Sequence, residues 1–88
     1  MRILEIKELV RKDVPIYYRM YYSGIAVIEL VNKTVELRLD FSIETKPTGK
    51  KDILLTIAQP IDYPVVPFTK AIKQFILELD NAGSLPPL

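Results

Sequence analysis

The sequence predicts an α+β fold, a curved antiparallel β-sheet of four to five strands packed on one face by a C-terminal α-helix. Three features predict it. Residues 34–45 alternate, with Val35, Leu37, Leu39, Phe41 and Ile43 on one side and Thr34, Glu36, Arg38, Asp40, Ser42 and Glu44 on the other. That is the period of a strand with one buried and one wetted face. From Pro67 onward, Phe68, Ala71, Ile72, Phe75, Ile76 and Leu79 recur at helical spacing, with Lys70, Lys73, Gln74 and Glu78 largely opposite. The helix stripe and the strand row are each complete only when they cover one another. The 88 residues suit one domain and contain no internal repeat.

The elements are expected in β-β-β-β-β-α order. Leu4 and Ile6 alternate with Glu5 and Lys7, which marks a first strand at about 2–8. The pattern leaves its partner open between its own sheet and a second copy. Arg11-Lys12-Asp13 and Val14-Pro15 are expected to end it. The aromatic run at about 16–22 is β-prone, and Ser23-Gly24 reads as a tight turn into a strand at 25–31. An Asn32-Lys33 hairpin loop would set Leu30 opposite Val35, Ile28 opposite Leu37 and Ala26 opposite Leu39. It would also oppose Val27 to Arg38 and Glu29 to Glu36, the latter mildly unfavourable.

After the strand at 34–45, the segment from Lys46 to Lys51 supplies a turn, and Ile53, Leu55 and Ile57 continue the buried pattern in a strand at 52–58. Pro60 and Pro64 exclude a central strand beyond it. Pro67 suits the first turn of a helix at about 67–81, Gly83 its C-cap, and an extended tail is expected at 84–88.

Composition narrows the chemistry. The chain is 49% apolar and 26% charged, and it has no cysteine and no histidine. That removes disulfides, thiol nucleophiles, thiolate metal sites, the usual imidazole base and the commonest metal ligand. No apolar run approaches the ~18 residues of a membrane span, and the first residues interleave charge with aliphatics rather than forming a signal core. A cytoplasmic location, no membrane and no cofactor are the resulting expectations. Twelve basic against eleven acidic residues give a net charge of +1, which offers little long-range attraction to a phosphate backbone.

Three groups of residues invite a functional reading. Glu36, Asp40 and Glu44 share a strand face, but residues four apart in a strand lie about 13 Å apart, beyond the ~5–9.5 Å of paired catalytic carboxylates. Glu29 on the neighbouring strand lies nearer to Glu36, yet a solvated acidic face is the simpler account. The segment Pro47-Thr48-Gly49-Lys50-Lys51 lacks the spacing of a nucleotide-binding loop and sits between strands. It reads as a hairpin, with Lys46, Lys50 and Lys51 as candidate phosphate contacts. Tyr17, Tyr18, Tyr21 and Tyr22 cannot all be buried by strand alternation. A one-residue bulge would send Tyr18, Met20 and Tyr22 inward and leave Tyr17, Arg19 and Tyr21 outward, keeping the guanidinium wet. Tyr17, Arg19, Tyr21, Ile25, Val27 and Arg38 therefore form the candidate interaction surface.

The order of Tyr17–Thr56 followed by Phe68–Asp80, a four-stranded antiparallel sheet and then a helix, resembles PC4-type and PUR-alpha-type single-strand-binding domains. No family motif matches residue by residue, and the near-neutral charge departs from such domains. The resemblance implies dimers and single-stranded nucleic acid stacking on Tyr17 and Tyr21, with phosphates on Arg19, Arg38 and Lys51. Three classes follow. A homodimeric or other protein-interaction domain comes first, a single-strand nucleic-acid binder second. An enzyme with a carboxylate-based site comes last, because no nucleophile, base and orienting group coincide.

Overall fold

The computed structural model describes residues 1–58 and 65–86. Pro60, Pro64 and the last two residues of the tail lie outside the described residues. The elements are β1 (Arg2–Lys12), β2 (Arg19–Glu29), β3 (Thr34–Thr45), β4 (Lys51–Ile57) and α1 (Val65–Asn81). The strands form one antiparallel sheet in the order β1-β2-β3-β4, so the α+β architecture has four strands, the lower end of the predicted range. Phe68, Ile72 and Ile76 of α1 are buried against Ala26, Ile28, Leu37, Leu39, Phe41 and Ile43. Each contributes the burial worth of an apolar side chain, about 1.5–3 kcal/mol.

The predicted turn at Ser23-Gly24 is not there. Ser23 pairs with Asp40 and Gly24 with Leu39 within an unbroken β2, so the stretches expected at 16–22 and 25–31 are largely one strand. Residues 16–18 precede it. Glycine and serine are local turn formers, but ladders on both sides of β2 override that preference. No bulge is needed in β2 to explain the tyrosines: even-numbered Met20, Tyr22, Gly24, Ala26 and Ile28 simply share the helix side. Tyr22 stacks on Phe41 at 5.1 Å between ring centroids.

The β2–β3 hairpin is also tighter by two residues than the expected register. Leu30 N–H donates to the Lys33 carbonyl at 2.7 Å, which makes Val31-Asn32 the loop. Ile28 then faces Val35, Ala26 faces Leu37, Val27 faces Glu36 and Glu29 faces Thr34. A two-residue slip keeps every side chain on its face, and here it separates Glu29 from Glu36.

β1 runs to Lys12, past the charges expected to end it, and it pairs with β2. Its ladder is irregular between Ile3 and Glu5 and again between Lys7 and Val10, where Glu8 and Leu9 together oppose Gly24. Glu8 has φ 51°, the left-handed conformation of a bulge residue. This two-for-one step brings both Ile6 and Leu9 over Gly24. A Cβ at position 24 would lie 2.8 Å from Ile6 Cγ2 and 3.2 Å from Leu9 Cδ1.

α1 begins at Val65, two residues earlier than predicted, which leaves Pro67 still within the first turn, where its missing N–H costs nothing. The helix ends in a Schellman motif. Ser84 N–H reaches the Leu79 carbonyl and Gly83 N–H the Asp80 carbonyl, with Gly83 at φ 69°. Beyond it Leu85 turns back onto the core instead of extending away. Asp80 is an acid at the unfavourable end of a helix dipole, and Lys51 Nζ holds it at 2.8 Å.

Two consequences are testable. Gly24→Ala is expected to cost about 1–3 kcal/mol by overpacking, measured by urea unfolding, and most of that cost should vanish in an Ile6→Ala background. The buried Tyr22 phenol is held above its ordinary pKa of 10.0, first by desolvation, with Asp80 adding and Arg11 and Lys51 opposing. The folded chain therefore keeps that proton when the unfolded chain loses it. Stability is complete below about pH 10 and falls as pH rises beyond it. Unfolding at about pH 8 and about pH 11 should show a smaller loss for Tyr22→Phe than for the wild type.

Candidate interaction surface

The face of the sheet away from α1 is built by the odd-numbered residues of β2 and the even-numbered residues of β3 and β4. Arg19, Tyr21, Ile25, Val27 and Arg38 are brought together there. Tyr17 is not part of it. It lies in the connection before β2, 98% exposed, with its ring edge-on to Tyr18 at 5.5 Å.

Charges on this face are arranged in pairs across the strands. Lys7 Nζ meets Glu36 at 2.7 Å, Lys12 Nζ meets Asp40 at 2.7 Å, Arg19 meets Glu44 at 3.2 Å and Arg2 meets Glu29 at 3.7 Å. The hydrogen bond to Glu36 raises the Lys7 pKa above 10.5, and that to Glu44 raises the Arg19 pKa. Arg19 Nε itself is buried without a hydrogen-bond partner. Lys7 and Lys12 cross over β2 to reach acids on β3, so their methylene stems lie over it. Val27 and Ser42 are buried although they belong to the open face, Ser42 at 4% exposure. The acids expected to be merely solvated are held by cations that the alternation pattern did not pick out.

The proposed lysine cluster does not assemble as a unit. Lys46 and Lys50 stay exposed around a tight turn, with Lys46 N–H donating to the Lys50 carbonyl and Gly49 N–H to the Lys46 carbonyl, and Gly49 at φ 87°. Lys51 instead projects to the helix side and binds Asp80.

Leu54 is a surface residue that the expected buried rows left out. It is 63% exposed and sits opposite Ser42, beside a shallow hollow of about 150 Å³ shared with Lys12, Tyr21 and Thr56. An apolar residue between Ile53 and Leu55, at a position the alternation assigns to water, was the signal. A second hollow, about 510 Å³, lies at the end of the sheet between Tyr17, Tyr18, Glu44, Thr45, Lys46 and Pro47. Among the described residues, no group of three or more acids is placed to hold a metal ion, and no helix is long and apolar enough to cross a membrane.

A family profile, described as the BB_0187 family, matches residues 1–81. The chain belongs to that family. The matched region ends with the last residue of α1, so the family profile spans the sheet and its covering helix. No curated protein and no solved structure matches this member of the family. The likeness to PC4-type and PUR-alpha-type domains accordingly rests on element order alone.

The charge lattice makes its own prediction. A double-mutant cycle on Lys12→Ala and Asp40→Ala should give a coupling of about 0.2–1 kcal/mol in dilute buffer, and it should shrink towards zero in about 1 M salt.

Proposed function

We propose that this domain is a non-enzymatic protein-association module that works as a homodimer, in the cytoplasm. The observation that carries this reading is the contrast between neutralised charges and exposed apolar groups. Glu29, Glu36, Asp40 and Glu44 each engage a cation, whereas Tyr17 and Leu54 are largely in water. A phosphate backbone would have to displace carboxylates from Arg19, Lys7 and Lys12, losing the counterion-release gain that drives such binding. A protein partner needs only dry apolar contact inside a charged rim. The same pairing leaves no carboxylate poised as a free acid or base beside a nucleophile. The cysteine-free composition suits a reducing compartment.

Single-strand binding retains one supporting observation, the exposed Tyr17 ring beside Lys46 at the end of the sheet, where a base could stack and a phosphate be met. Light scattering at low and high salt, with and without a short oligothymidine, separates the two readings. A mass of twice the chain at both salts, unchanged by the oligonucleotide, is expected. A salt-sensitive complex with the oligonucleotide would reverse the order.

A further inference from the structure

We infer that the homodimer forms by antiparallel pairing of β4 with β4 of a second copy, about a two-fold axis at Leu54. The inference rests on the association reading above and supplies its geometry.

The two outer strands of the sheet differ in what they offer a partner. β1 is interrupted by two register shifts and by the left-handed Glu8, devices that twist an edge and spoil its ladder. β4 pairs with β3 without a shift from Lys51 to Ile57, and it contains no proline. Ladder bonds to β3 fall on the even-numbered pairs, as the Lys46 N–H to Lys50 carbonyl and Ala58 N–H to Arg38 carbonyl bonds at either end establish. The backbone groups of Lys51, Ile53, Leu55 and Ile57 therefore point away from β3. Among the described residues nothing pairs with them.

The parity of this strand makes it complementary to itself. A two-fold axis at Leu54 uses all of β4, opposing Ile53 to Leu55 and Lys51 to Ile57 of the second copy. These are the residues whose N–H and C=O face outward, so they form the hydrogen-bonded pairs. Leu54 then meets Leu54 of the second copy at a non-hydrogen-bonded position, where Cα atoms approach to about 4.5 Å, and Asp52 lies opposite Thr56 without a like-charge conflict. On the helix side, Leu55 of the second copy comes beside Ile53, over a groove lined by Ile53, Lys73, Gln74 and Leu77. Sliding by two residues in either direction keeps the hydrogen-bond phase but shortens the overlap. With one edge irregular and the other consumed, growth stops at two chains.

The chain has no cysteine, so Leu54→Cys introduces a single thiol. The Cα separation at that position falls within the ~4.4–6.8 Å that a disulfide spans. Mild oxidation should convert Leu54→Cys rapidly to a covalent dimer, while Val10→Cys on the exposed part of β1 stays monomeric on denaturing gels. Leu54→Glu should weaken the dimer by about tenfold or more in sedimentation, from lost apolar contact and facing charges, with unchanged circular dichroism. A wild-type dimer in which Leu54→Cys fails to cross-link, or cross-links no faster than Val10→Cys, overturns the β4 geometry and leaves the homodimer standing. A wild-type monomer without selective cross-linking overturns both.

Discussion

Everything in this molecule follows from a sheet that has one helix to cover it. Phe68, Ile72 and Ile76 seal the row from Val35 to Ile43, and no second layer is present among the described residues. A short chain buries a modest share of its surface, so that single seam carries most of the folding energy. The opposite face and the strand edges must be made tolerable by other means, and the means differ from place to place.

On the open face the solution is electrostatic and partly apolar. Lysines from β1 reach across β2 to acids on β3, and their stems cover Val27 and its neighbours. Each exposed pair is worth little in isolation. Their larger consequence is for recognition, since a cation already satisfied by a carboxylate has less to gain from a phosphate. On the closed face, the bulge at Glu8 and Leu9 lets β1 turn two aliphatic side chains towards the helix side, which is possible only because position 24 has no Cβ.

The parts of the structure legible in the sequence are those where local pattern and global packing agree. β3 and α1 were read closely because strict alternation and helical spacing each had one consistent partner. Ser23-Gly24 misled because the glycine serves a close approach from β1 rather than a turn, and nothing local distinguishes the two uses. The hairpin register was misplaced by two residues, an error that alternation cannot detect because it preserves the faces. The candidate surface was legible as a face, through the parity of Arg19, Tyr21, Ile25 and Val27, but not as a pairing pattern. Lys7 and Lys12 reach their acids diagonally, and a diagonal depends on a register fixed by the bulges. Leu54 was legible only as a breach of alternation.

That breach bears on why a one-layer sheet would associate at all. An exposed leucine on a regular outer strand is a liability in a solitary chain, since unpaired backbone groups beside an apolar side chain invite indiscriminate pairing. β1 is irregular enough to discourage such pairing, yet β4 has neither proline nor bulge. If β4 were meant to remain in water, a lysine at position 54 would disrupt nothing on the helix side and would protect the edge. The arrangement is coherent when β4 has a partner. Self-pairing satisfies its outward amides and carbonyls, dries Leu54 and Ile53 together, and enlarges the buried area that a single helix supplies. The asymmetry of the two edges, rather than the tyrosines that first draw notice, is therefore the feature that makes association specific and finite.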